Sequence, residues 1–355
     1  MEAYINGLSV ISPQNTFSEK CLFHKPVEYA GVRSLKCIEP DYSAFIDPMA
    51  ARRMSRIIKM GVCTALKCLQ DAEIKVPDSI ITGTGMGCVE DTGKFLSSII
   101  ESEEKLLNPT PFIQSTHNTV GAAIALMLKC HSYNNTFGHR GFSFESALID
   151  ALMLLHEGQE NDILVGGLDE LTPDLFIITD RLGLWKRDPV NSLHLKEYST
   201  RGSLAGEGTT FFALSKSKRV KSFARIASVE TYYKPSDQFE IEKRLSGFIK
   251  NNIGTEGKPD LVLLGINGDK SGDEVYSFLR GGIFTNIPSA YYKHLCGEYY
   301  TSSAFALAMA AGIIREQRVP DIMRLENEPI GKIHNILIYN HMRNINHSAI
   351  LVSSC

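Results

Sequence analysis

The chain has no CxxC pair, no Cys/His cluster at zinc spacing, no long apolar run and a net charge of only −3. Each absence closes off a class of protein. The eight cysteines (21, 37, 63, 68, 88, 130, 296 and 355) are scattered over 355 residues. A disulfide scaffold or structural zinc therefore gives way to reduced core thiols in a cytoplasmic protein. The longest run of small apolar residues, Ala304 to Ile314, is too short to span a bilayer. The opening MEAYINGLSVISP has no basic flank and no long apolar core, so it reads as a strand over 3–12 rather than a signal peptide. The near-neutral charge gives no electrostatic case for nucleic acid or for an anionic membrane. Gly83-Thr84-Gly85-Met86-Gly87 follows a strand but fits neither GxGxxG nor GxxxxGK[ST], so it reads as a glycine turn and not as a nucleotide site. No metal or cofactor is expected.

The composition that remains, 43% apolar and 22% charged, is that of an ordinary globular protein long enough for one large domain or two fused halves. Asp47-Pro48 is an N-cap followed by proline at the first helical position. It opens a helix with Met54, Ile58, Gly61, Val62, Ala65 and Leu69 on its apolar face, leaving Arg52, Arg53, Arg56 and Lys59 as a solvated face. Residues 14–46 are irregular. His117-Asn118 precedes VGAAIALML, a helix apolar nearly all round and so expected to be buried on more than one side, with His117 capping it. Thr301 to Arg315 is a second small-residue helix. Between them lies FGHRGFSFESALIDALMLLHEGQENDILVGGLDE, residues 137–170. It contains a helix with Phe144, Leu148, Ala151, Leu152 and Leu155 on one face, a C-terminal glycine at Gly158, and a short strand Ile163–Val165 ending at Gly166-Gly167. The unpaired amides and positive dipole at the start of that helix favour a nucleophile or an oxyanion. Gly206-Glu207-Gly208 leads into an apolar strand, and KSKRVKS (216–222) reads as a solvated basic turn or an acidic-partner docking site.

From Arg225 the pattern restarts. Strands are expected at 225–231, 261–264, 333–339 and 349–352, and helices near 238–251 and 273–280, with Asn340–His347 as a connection. Strands alternating with helices in each half, plus one buried small-residue helix per half, fit a duplicated α/β sandwich in which two sheets pack on a central helix layer.

The 137–170 stretch resembles the nucleophile region of the beta-ketoacyl synthases, members of the thiolase-like condensing enzymes, and the resemblance extends over roughly residues 45–355. It implies a layered α-β-α-β-α fold in two halves, 1–215 and 216–355. Counting back from Gly166-Gly167, the family's catalytic cysteine falls on Gly141; counting forward from Lys129, it falls on His139. The first catalytic histidine, in an HGTxTxxGD pattern closed here by Gly272-Asp273, falls on Gly265, and the second, in KSxxGH, falls on Glu298, with Lys293 and Gly297 matching. His341-Met342-Arg343-Asn344 replaces a GFGG segment, and Asn346 fits the asparagine that follows it. Lys293 and Asn346 are the expected substrate contacts.

The resemblance therefore implies a frame without its Cys-His-His triad. Such a chain is expected to act as a non-condensing, chain-length-factor-type partner of an active ketosynthase, with an acyl carrier protein as a further partner and neither nucleic acid nor membrane. Dimerisation along Tyr133–Thr136, sensitive to Asn134 and Asn135, is implied as well. Two alternatives stay open. Ser143, at the helix start near His139 and Glu145, could serve an acyltransferase or hydrolase, although as a helix-capping serine it would be structural. Or a condensing enzyme could use a relocated nucleophile, Cys130 or Cys296.

Overall fold

A computed structural model describes residues 1–18, 25–255, 257–326 and 329–355. Cys21 lies outside the described residues.

The first half runs β1 (Ala3–Ile11), α1 (Pro48–Ala51), α2 (Arg56–Asp71), β2 (Ser79–Gly83), α3 (Val89–Glu101), α4 (Pro109–Gln114), α5 (Thr119–Leu128), β3 (Tyr133–Phe137), α6 (Ser143–Glu157), β4 (Asp162–Asp169), α7 (Pro173–Arg181) and β5 (Gly208–Ser215). The second half runs β6 (Ala224–Tyr233), α8 (Gln238–Ile253), β7 (Leu261–Leu264), α9 (Lys270–Gly281), β8 (Ser289–Tyr291), α10 (Lys293–Cys296), α11 (Ser302–Glu316), β9 (Asn335–Met342) and β10 (Asn346–Ser353).

The strands line up as β3-β2-β4-β5-β1-β6-β10-β9-β7-β8. The two groups of five repeat one topology. In the first, β1·β5 and β5·β4 are antiparallel while β4·β2 and β2·β3 are parallel. In the second, β6·β10 and β10·β9 are antiparallel while β9·β7 and β7·β8 are parallel. They meet edge to edge through a short antiparallel run, from Ala3 opposite Ile226 to Ile5 opposite Ala224.

Three apolar clusters separate the layers. The central one joins α6 and α11 to the inner faces of both groups of strands, through Phe144, Leu148, Phe305, Leu307, Met309, Ile338 and Ile350. A second packs α2 and part of α5 on the first group, and a third packs α8 and α9 on the second. α11 is buried along nearly its whole length, which requires its small residues. Gly167 on β4 makes that close approach possible, because a Cβ there would stand 2.9 Å from Ala304 Cβ and 3.0 Å from the Phe144 ring.

Several local expectations are corrected. The helix expected from Pro48 breaks at Arg52–Ser55 into α1 and α2. Arg56 is not merely solvated, since it forms an ion pair with buried Glu207. α5 is not buried on several sides: only Val120, Gly121 and Ile124 are buried, and Leu126 is 81% exposed. His117 is exposed and does not cap this helix, whose N-cap is Asn118. β4 does not stop at the glycine pair but runs through it to Asp169. Asn340–His347 is no loop. β9 and β10 run into it and pair to Asn346 opposite Met342, leaving a three-residue turn, Arg343, Asn344 and Ile345, in which Arg343 and Asn344 have positive φ. Among the described residues no helix is long and apolar enough to cross a membrane.

Candidate functional site

The chain turns sharply into α6. Arg140 takes a left-handed φ of 55°, Gly141 is buried, and α6 starts at Ser143. A Cβ on Gly141 would stand 2.9 Å from Met342 Cβ and 3.1 Å from Asn346 Cβ. The β9–β10 hairpin thus occupies the space beside Gly141, and Asn346 packs there from the first residue of β10. His139 is exposed beside the Phe137 ring.

Ser143 is fully buried, and its hydroxyl donates to the Thr84 carbonyl at 2.8 Å. It does not cap the helix, since it sits inside the first turn with Phe142 as N-cap. It ties α6 to the turn after β2 and makes no hydrogen bond to His139. Glu145 is buried and accepts from Ser348 at 2.8 Å. Burial raises its carboxyl above the ordinary range. These three residues do not form a hydrolytic triad. The two relocated thiols are also buried. Cys130 donates to Pro77 O and Cys296 to its neighbour's Gly297 O. Burial holds the Cys296 thiol well above its usual value, which opposes thiolate formation.

The space beside Gly265 is also filled. A Cβ on Gly265 would stand 2.7 Å from Tyr276 OH and closer still to Asn340 Oδ1. Gly272-Asp273 braces the neighbouring loop. Asp273 accepts from the Asn267 and Gly268 amides at 3.1 and 2.8 Å, and burial pushes its carboxyl up to about 6. That loop aims Asn267 at Glu298.

Glu298 is buried and paired. Its Oε2 accepts from Lys293 Nζ at 2.7 Å and from Asn267 Nδ2 at 2.6 Å. Its Oε1 is buried with no hydrogen-bond partner. Lys293 is fully buried, so its ammonium is committed to Glu298. A backbone crossing fixes the carboxylate: Glu298 N donates to Leu204 O at 2.7 Å, and Gly206 N donates to Glu298 O at 3.0 Å. Only glycines fit there. A Cβ on Gly206 would meet the Cys296 carbonyl oxygen and Gly297 Cα, and Gly297 itself has φ +75°. Glu207 braces the other side. It takes both Arg56 guanidinium nitrogens at 2.9 and 2.7 Å and the amides of Cys37 and Leu171 at 2.9 Å each.

The sequence reading placed two histidines in a connection and gave them no role. His341 Nε2 donates to Gly272 O at 2.9 Å, Asn344 N donates to its Nδ1 at 3.2 Å, and the ring stacks on Tyr276. His347, its cross-strand partner, shares a 2.8 Å hydrogen bond with Tyr339 OH. Burial holds His341 neutral and lowers His347 to about 4. The symmetric spacing in NHMRNINH was the available signal, legible only once the segment is read as a hairpin.

Glu298 and His341 line a cavity of about 280 Å³. Trp185, Leu182 and Leu175 form an apolar wall, Tyr300 and Met342 stand on another side, and Arg201 and Arg343 are exposed members of the lining. Lys186 buttresses the loops around it, donating to the carbonyls of Tyr198 and Thr200 at 2.8 and 2.9 Å and also to Gly268 O.

Residues 34–184 match the beta-ketoacyl synthase N-terminal domain. A 3-oxoacyl-[acyl-carrier-protein] synthase 2 from Synechocystis sp. is 20% identical over 219 residues, covering 59% of this chain and 50% of that protein, so the match spans half the length of that relative. Among solved structures, the ishigamide ketosynthase/chain length factor matches over 100% of this chain and 99% of its own, with a TM-score of 0.80 at 14% identity. A ketosynthase in complex with its chain length factor from Xenorhabdus doucetiae matches over 99% of this chain and 98% of its own, with a TM-score of 0.75 at 15% identity. A type II polyketide acyl-carrier protein complexed with its ketosynthase gives a TM-score of 0.74 at 13% identity over 100% and 99%. Residues 34–184 are thus similar to the beta-ketoacyl synthase N-terminal domain in sequence, and the chain shares the thiolase-like fold of ketosynthase and chain-length-factor structures along its whole length.

Proposed function

We propose that this chain is a non-condensing subunit that pairs with an active ketosynthase and shapes the acyl product in fatty-acid or polyketide synthesis. One observation carries the reading. The positions of the missing triad are Gly141, Gly265 and Glu298, and Met342, Asn346, Asn340 and Tyr276 fill the space beside the two glycines. A condensing enzyme needs a thiolate at the helix start and two imidazoles to hold the enolate. Here a carboxylate already paired with lysine stands where one imidazole would be.

The same reading takes the chain as two halves, 1–215 and 216–355, supported by the repeated strand order. It takes β3 as the pairing edge, supported by its place at the end of the sheet and by exposed Leu126 and Met127 on neighbouring α5. An acyl carrier protein is the further partner. The basic turn offers it less than the sequence promised, because Arg219 is held by Asp162 and Ala72 O, and Lys221 by Glu73. A cytoplasmic location fits the buried, unpaired thiols of Cys37, Cys63, Cys68, Cys88, Cys130 and Cys296.

The test is intact mass after incubation with acyl- and malonyl-carrier protein, with and without an active ketosynthase. The expected result is no mass shift on this chain alone and altered product length when the active synthase is present. Acyl transfer to this chain alone would overturn the proposal, and peptide mapping would then assign Ser143, Cys130 or Cys296.

A further inference from the structure

The cavity of about 280 Å³ sorts its charges by exposure. Its carboxylates are held by donors of the protein. Asp169 accepts from Gly85 N at 2.7 Å and from the Thr301 amide and hydroxyl at 2.9 Å each. Glu170 accepts from Glu90 N at 3.0 Å, Asp269 from Gly202 N at 3.0 Å, and Glu298 from Lys293 and Asn267. Asp169, Glu170 and Glu298 are each only 5% exposed. Burial pushes the carboxyl of Asp169 up to about 6 and that of Glu170 up to about 7, which thins the negative charge of the lining at neutral pH.

The arginines of the lining are in the opposite state. Arg201 and Arg343 are exposed, and neither side chain makes an ion pair or a hydrogen bond among the described residues. Arg343, in the β9–β10 turn, lies near enough to Tyr300 to act on its phenol, as does exposed Arg140 from the turn into α6. Burial keeps that phenol protonated, and its hydroxyl has no partner among the described residues. The outer part of the cavity therefore holds donors that lack an acceptor. Trp185, Leu184, Leu182 and Leu175 give the same lining an apolar wall. A ligand that answers both features has an apolar body and a negative head. A single negative charge suits it best, because a dianion would be repelled more strongly by the lining carboxylates.

We propose that this cavity binds a small amphipathic monocarboxylate without covalent chemistry, its head at the mouth against Arg201 and Arg343 and its apolar body along Trp185. The proposal goes beyond the reading above and does not rest on it. It is tested without ketosynthase or carrier protein, so its failure is distinguishable from the failure of that reading, which shows as a covalent mass shift.

The probes are 3-phenylpropanoate, 2-phenylethylamine with the opposite charge on a similar body, and acetate as the head without the body. Each is titrated calorimetrically into the full chain at neutral pH. 3-Phenylpropanoate should bind with a dissociation constant below about 1 mM, and the amine and acetate at least roughly tenfold more weakly. Arg201→Gln with Arg343→Gln should weaken 3-phenylpropanoate about tenfold. Arg53→Gln, an exposed arginine outside this lining, should leave its affinity unchanged. All three side chains are exposed, so both variants should melt near the wild-type temperature. Should the double variant fail to fold, a crystal structure of the wild-type chain with 3-phenylpropanoate decides: the carboxylate should lie within hydrogen-bond distance of the Arg201 or Arg343 guanidinium. The proposal is overturned if 3-phenylpropanoate does not bind at millimolar concentration, if the amine or acetate binds as tightly, if the double variant keeps wild-type affinity, if Arg53→Gln loses as much, or if the carboxylate sits elsewhere.

Discussion

Removing Lys293 tests whether this buried lysine serves stability. Lys293 is fully buried and Glu298 is 5% exposed, with Nζ 2.7 Å from Oε2. At an effective dielectric of about 20, that attraction is on the order of 6 kcal/mol, against a desolvation cost of several kcal/mol per ion. Lys293→Met leaves the desolvation of Glu298 in place and removes the attraction. The expected loss is about 3–5 kcal/mol, toward the lower end because Asn267 still donates to Oε2. The assay is urea unfolding followed by circular dichroism at pH 8. Lys293→Met with Glu298→Gln should recover most of the loss, because a neutral amide still accepts from Asn267. A deficit below about 1 kcal/mol, or a double variant no more stable than Lys293→Met alone, would refute the reasoning.

Four further outcomes are expected. Gly141→Cys should not restore condensation: its Cβ would press on Met342 and Asn346, lowering stability by about 1–3 kcal/mol, with no acyl adduct by mass and partial relief from a second change, Met342→Ala. Burial pushes Glu170 up to about 7, so its stability contribution is present below the ordinary carboxylate value and lost as pH rises through 7. Glu170→Gln should then raise the melting temperature at pH 8 and leave it nearly unchanged at pH 4. His294, buried against Tyr291, is lowered to about 3, so its contribution is complete above about 6.5 and lost as pH falls toward 3. His294→Phe should move the acid-unfolding midpoint to lower pH. Leu126→Glu together with Tyr133→Glu, two exposed side chains at the β3 edge, should halve the light-scattering mass if that edge pairs copies of this chain.

The elements legible in the sequence were those whose periodicity is set by burial on one side. Leu261–Leu264, the helix face from Phe144 to Leu155, and the small-residue helix before Arg315 fell where expected. The failures share a physical cause, in that partners distant in sequence decide them. Arg56 looked solvated because its partner Glu207 lies 151 residues away. His341 and His347 looked like loop residues because their partners, Gly272 O and Tyr339, come from outside the turn. α5 was read as buried from its small residues, but composition does not say which chain covers a face, and Leu126 meets no other part of this one closely enough to be buried. At the site, the sequence singled out Gly141, Gly265 and Glu298 through the resemblance alone. It could not say that Met342 and Asn340 occupy the space beside the two glycines.

Several glycines and one carboxylate hold strands and loops of this frame together. Gly167 lets β4 lie against α11, the Gly206–Gly297 crossing locks the loop before β5 to the segment before α11, and Glu207 gathers Arg56 with two loop amides. Changing any of them leaves a clash or an unpaired buried charge, worth several kcal/mol in a chain whose margin is of the order of 10 kcal/mol. Glu298 belongs to the same scaffold, since its carboxylate is held in place by Lys293 and Asn267.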